Sequence, residues 1–247
     1  NCSFDDSILI ENYMNSGKGN VLFCTSPYSV NIKGDWSLNE NKNTYITQML
    51  AKYGIEFNPS IVFDYSCRQI SLLGDSGNKN AEIINYPMWI SVLPQKSCRT
   101  GLSCFWASPL SLSENAVPYI YSSEKSFEVP LNFNNPDVLI ETNPFMINLQ
   151  NVQTNALQNK VLAAFVPLYS AECTDNVCTK SGFYVIADSL FASFYTNGFI
   201  GGENGDFRNF MFLTSLFWKM NGMNELASLQ EKTSVDRSLY KRSVILK

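Results

Sequence analysis

The apolar positions of this chain follow two periods, and the changes between them predict its elements. In "SFDDSILIENYMN", Leu9, Ile10, Tyr13 and Met14 fall on one helical face. Ser3 and Asp6, three residues apart, have the form of a capping box, and Gly17 or Gly19 supplies a left-handed stop. "NVLFCTS" is a short apolar run between turn residues and predicts a buried strand. From Pro27 to Asn43 the chain is polar, rich in Asn, Lys and Ser, and predicts a loop. Ile46, Met49, Leu50 and Tyr53 return to helical spacing, stopped by Gly54, and "IVFDYS" predicts a strand ending at Asp64 and Tyr65.

From about Ser71 to Asn159 the pattern becomes irregular. Short β-like runs ("AEIINYPMWISVL", "SCFWASPLSL", "VPYIYSS") alternate with Pro, Ser and Asn clusters, and no helix is predicted. "KVLAAFVPLYS" and "SGFYVIAD" then predict two adjacent strands joined by the tip that carries Cys173 and Cys178. Asp206 is the expected N-cap of a helix through Met220, whose Arg208, Asn209, Ser215 and Lys219 mark a buried helix rather than a membrane span. "ELASLQEK" is expected to form a final edge strand. Helix, glycine stop and buried strand in that order make an α/β unit, so the expectation is a single α/β domain over 1–247 with a β-rich insertion near 71–159.

Composition narrows the function. The 247 residues carry a net charge of −4, which argues against a nucleic-acid partner, since that would need a basic face to displace counterions. The one basic cluster, Lys232, Arg237, Lys241 and Arg242, lies in a tail (232–247) read either as solvated or as approaching a membrane segment outside this sequence. There is no histidine, so neither a Ser-His-Asp nor a Cys-His arrangement can be built from this chain, and His-based metal sites are excluded. The 7 cysteines suggest an oxidising compartment, with Cys98–Cys104 and Cys173–Cys178 as local pairs. Spacing alone does not show that their Cβ atoms face each other. No CxxC is present, which leaves zinc little support.

The ordered set of motifs resembles the GldG-like extracytoplasmic domain of ABC-transport auxiliary proteins, a family first associated with gliding motility. The resemblance is carried by "ENYMNSGKGNVLFCTSPYSV", "ITQMLAKYGIEFNPSIVFDYSCRQISL", "NYPMWISVLP", "CFWASPLSL", "GFYVIADSLFAS" and "DFRNFMFLTSLFWKMNG", from about Asp5 to Lys232. Three features depart from it: Lys18 separates Gly17 from Gly19, Ala187 stands where glycine is frequent, and the Cys173–Cys178 stretch is an addition. The resemblance implies a flavodoxin-like (glutamine-amidotransferase-like) sheet flanked by helices, without the amidotransferase's catalytic residues or any cofactor. It implies a place on the periplasmic, extracytoplasmic face of the cytoplasmic membrane, anchored by segments outside this sequence. The partners it implies are ABC permease and ATPase subunits, and a small-molecule ligand is compatible with it.

The candidate binding residues lie where strands end and loops begin: Ser26, Tyr28, Asp64, Arg68, Asp188 and Ser189. Asp188 can meet a ligand or cap loop amides, and Ser189 has no histidine to act as its base. Arg68 can clamp an anion or pair with Asp64. Cys24 follows a strand but lacks a Gly-flanked elbow, and reads as a buried small residue or a disulfide partner. Trp89, Trp106 and Tyr121 read as core or, if exposed together, as a sugar- or partner-binding surface. "GFIGGENGD" lacks phosphate-loop spacing. The expected function is a non-enzymatic extracytoplasmic auxiliary or substrate-binding component of an ABC transport system; a scaffold for membrane partners and a histidine-independent hydrolase are the alternatives.

Overall fold

The computed structural model describes residues 2–42, 44–72, 82–92, 101–135, 140–144, 146–147, 157–170, 180–194, 196 and 208–233. The first helix, α1 (Phe4–Asn15), begins at the predicted capping box: Ser3 Oγ accepts from Asp6 N, and the Asp6 carboxylate accepts from Ser3 N at 2.9 Å. It ends at Gly17, whose φ of 67° is the left-handed stop. Its buried face differs from the expected one. Met14 is buried and Ile10 partly so, whereas Leu9 and Tyr13 are 67% and 47% exposed.

Strand β1 (Val21–Cys24) follows, and then the first difference in element count. The expected loop 27–43 holds a hairpin, β2 (Tyr28–Val30) with β3 (Leu38–Glu40). The Asn- and Lys-rich composition hid it, because only Tyr28, Val30 and Leu38 among its strand residues point inward. Helix α2 (Tyr45–Lys52) buries Met49 and Leu50 as its spacing predicts. Gly54, at φ 81°, turns the chain into β4 (Ile55–Phe57), where a Cβ would meet Ser113 Oγ at 1.9 Å. The remaining strands are β5 (Ser60–Asp64), β6 (Cys67–Leu72), β7 (Glu82–Val92), β8 (Leu102–Phe105), β9 (Leu110–Leu112), β10 (Val117–Tyr121), β11 (Ser126–Pro130), β12 (Val161–Ser170) and β13 (Lys180–Ile186).

Two helices close the described chain, α3 (Arg208–Met220) and α4 (Asn224–Thr233). "ELASLQEK" is therefore helix, not the expected edge strand. Its Glu, Leu, Ala, Gln and Lys are strong helix formers, and none is β-branched. The link is a helix stop at Gly222 (φ 75°), with Met223 N donating to Trp218 O at 2.8 Å. The expected N-cap Asp206 lies outside the described residues, as does the "GFIGGENGD" loop.

The largest sheet has the order β1-β13-β12-β10. Its β1–β13 pair is parallel, and the other two are antiparallel. Alternation along the parallel pair builds two cores. Phe23, Phe183 and Val185 face α1 and α2 with Met14, Met49 and Leu50. Leu22, Cys24, Tyr184 and Ile186 face α3 with Phe212, Leu213 and Leu216. Helices thus cover both faces of the parallel pair. A third core lies between β2, β5, β6, β7 and β11, around Tyr86, Met88 and Trp89. The protein is mixed α/β, with many short strands and few helices among the described residues. The extended parallel sheet of a flavodoxin-like fold is not what these pairings show: every described pair except β1–β13 is antiparallel.

Candidate functional site

The carboxyl ends of β1 and β13 lie side by side, and this brings Ser26 and Tyr28 near Asp188. All three are buried. Asp188 is fully enclosed, and its two oxygens are already used. Oδ2 accepts from Phe105 N and Oδ1 from Leu190 N, each at 2.7 Å. Burial pushes its carboxyl up to about 7, against the pull of the Phe105, Leu190 and Phe191 amides. The Asx-type bond to Leu190 passes over Ser189, which is left exposed. Tyr28 donates from its hydroxyl to Ser60 O at 3.3 Å, and Ser26 O accepts from Asn41 Nδ2 at 2.9 Å.

Two thiols adjoin this carboxylate. Burial, and then the Asp188 charge, push Cys24 up to about 12. The same two causes raise Cys104 well above the ordinary thiol range, with Arg68 opposing them. Both thiols are held neutral. Cys104 is a free, buried thiol on β8 whose side chain packs beside Ile90 and Ile186, so the expected Cys98–Cys104 bridge is not present; Cys98 itself lies outside the described residues. Cys173 and Cys178 also lie outside them.

Asp64 does not join that group, Arg68 reaches it only through its charge on Cys104, and the two form no Asp64–Arg68 bridge. Asp64 is fully buried and accepts from Ser66 N, Ser123 N and Ser123 Oγ at 2.8, 2.7 and 2.5 Å. Arg68 donates from Nε to Ser103 Oγ at 2.8 Å and from Nη2 to the Gly101 and Leu102 carbonyls. These three bonds from the guanidinium brace β8. Trp89 and Trp106 are buried. With Trp36 and Tyr86 they form a four-ring knot in which every ring pair is 5.4–6.1 Å apart, so the rings themselves fill its centre. Tyr86 accepts from Trp106 Nε1 at 2.9 Å and donates to Thr142 O. Trp36 and Trp106 hold positive φ, a strained backbone for such bulky residues, within this knot. Tyr121 is only half-buried and stands apart from it.

Sequence reasoning missed two features. Asn209, on α3, is buried and acts as a strand mimic: it accepts from Ser103 N at 3.0 Å and donates to Ser103 O and Phe191 O at 2.8 and 3.0 Å. β8 is therefore held on one edge by β7 and on the other by side chains, from Asn209 and Asp188. The second feature is a groove of about 670 Å³ along β1, walled by Tyr13 and Lys18 on the α1 side and by Phe217 and Met220 on α3. Asn20 ties its floor, donating to Met220 O at 2.7 Å and accepting from Gly182 N at 2.9 Å. The "SGKGN" stop was the visible signal, because two glycines around a lysine open the helix-to-strand turn.

This arrangement defines a class of protein: a mixed α/β domain whose strand-end polar groups are used up by its own amides. The chain belongs to the family described as "ABC-type uncharacterized transport system", whose profile matches residues 3–166, and it is an auxiliary component of an ABC transport system. No curated protein matches it. Among solved structures, the mmIFT52 N-terminal domain is similar over 88% of this chain and 71% of that one, at 14% identity and a TM-score of 0.43.

Proposed function

We propose that this domain serves its transport system on the extracytoplasmic side, without catalysis, by contact with other proteins of the assembly. The family assignment supports the transport setting. The observation that carries the non-catalytic reading is the closure of the strand-end cluster. Asp188 has both oxygens bonded to amides, and Cys24 and Cys104 are held as neutral thiols. Ser189 stands in a chain without histidine. In the finer fold reading, the β1–β13 pair with helices on both faces is what remains of a flavodoxin-like, amidotransferase-like unit. A GldG-like placement, held at the membrane by segments outside this sequence beside permease and ATPase subunits, follows from the same reading.

The substrate-binding alternative is weakened because five of its six proposed contacts are engaged within the fold: Ser26, Tyr28, Asp64, Arg68 and Asp188. Co-purification of the tagged full-length protein from its own membranes tests the proposal. Recovery of an ABC permease is the expected result. A metabolite that raises the thermal midpoint of the isolated domain would instead favour substrate binding, and hydrolysis lost on Ser189→Ala would end the non-catalytic reading.

A further inference from the structure

Strand β1 is an edge of the largest sheet among the described residues: β13 pairs with one side, and no described strand lies on the other. The register shows which groups are left over. Cys24 is matched to Ile186, and Thr25 N donates to Ile186 O at 3.1 Å, so the odd-numbered residues of β1 face β13. By alternation, Leu22 and Cys24 direct N–H and C=O away from β13, and these two residues line the 670 Å³ groove. Native edges are usually blunted by proline, a bulge or an inward charge. Val21–Cys24 has none of these, and its register with β13 is unbroken.

The groove walls have the character of a strand receptor. Tyr13 and Phe217 are 47% and 48% exposed and stand on opposite sides of the edge, and Met220 also lines the groove. Lys18, exposed at the end of the strand, has no ion pair among the described residues and is the charge at the rim. We propose that the β1 edge takes up an extended segment of a partner protein by β-strand addition. That segment would carry apolar side chains at alternate positions and an acidic residue that reaches Lys18. A second copy of this chain is disfavoured, because an edge recessed between two walls cannot meet an equally recessed edge. The proposal rests on the protein-contact reading above and gives it a site.

A phage-displayed library of random 12-residue peptides, selected on the purified chain, supplies the probe. Enriched peptides should alternate apolar and polar positions around an acidic residue. Their synthetic forms should slow hydrogen exchange at the Leu22 and Cys24 amides. Lys18→Glu, at an exposed position, should weaken them by about fivefold. Leu22→Pro, which removes an N–H facing away from the ladder, should abolish binding while the circular dichroism is kept. No enrichment, unchanged exchange at both amides, affinity indifferent to Lys18→Glu, or protection of β1 by self-association would each overturn the proposal. If a permease co-purifies with the Lys18→Glu protein as well as with the wild type, this site fails and the function stands. If the peptides bind as described and no transport subunit is recovered, the function fails and the site stands.

Discussion

Asp188 stands where an α/β enzyme would keep a reactive acid, and its surroundings have put it to another use. Burial favours the protonated form and raises the carboxyl to about 7, while the amides of Phe105 and Leu190 pull the other way. A folded-state value above the ordinary aspartate value means that the folded protein holds the extra proton between about pH 4 and 7. The stability this group contributes is complete at the acid end of that window and is lost as pH rises through 7. Glu128 has the opposite sign. Burial pushes it up, but bonds from Ser60 and Lys160 and the Lys160 charge outweigh that and hold it low, so its contribution is lost on acidification. Asp188→Asn keeps the shape but turns an amide donor toward a backbone N–H. It should destabilise the protein by about 1–3 kcal/mol at pH 5. In urea denaturation the gap to wild type should narrow by pH 8; a widening gap would show that the ionised carboxylate is the form the amides hold.

Among the elements, β8 depends most on side chains for its place. β7 holds one edge through the Trp89–Phe105 to Val92–Leu102 register, and Asn209 completes the other at Ser103. Asn209→Ala would leave Ser103 N and two carbonyls buried without these partners. The expected cost is at least about 2 kcal/mol, read as a lower urea midpoint with faster amide exchange along β8 and at the start of α3. A midpoint unchanged from wild type would mean that water replaces the amide at no cost. The legibility of elements followed the same physics. α1 and α2 were readable from helical spacing and a glycine stop, and β1, β5, β12 and β13 from apolar runs. β2 and β3 were not, because three-residue strands hold too few inward positions for a pattern; α4 was not, because its few apolar positions are too sparse to set a period, although its residues favour a helix.

For the molecule as a whole, the middle of the chain is interleaved with the rest. β10 bonds to β12, β11 to β5, β9 to β4, and β8 presents Phe105 N to Asp188. Removing residues 82–130 should therefore leave a chain without cooperative thermal unfolding and with exposed apolar surface that binds a hydrophobic dye. A shortened protein that keeps a sharp transition and its near-ultraviolet circular dichroism would show the segment to be a detachable insertion. Among the described residues no helix is long and apolar enough to cross a membrane.

The sequence by itself determined what local rules can carry: the capping box at Ser3, the stops at Gly17 and Gly54, the apolar runs of β1 and β13, and, through the absence of histidine, that neither a Ser-His-Asp nor a Cys-His arrangement can be built from this chain. Of the polar residues it placed at strand ends, Asp64 closes β5 and Asp188 follows β13, whereas Tyr28 opens β2 and Arg68 lies within β6. Only the tertiary structure decided their use. Whether Asp188 faces solvent or two backbone amides, whether Arg68 meets Asp64 or Ser103, and whether β1 is covered or stands at an edge all depend on segments far apart in the chain. No local pattern encodes which of these contacts wins, because each is settled by burial and hydrogen-bond completion across the whole fold.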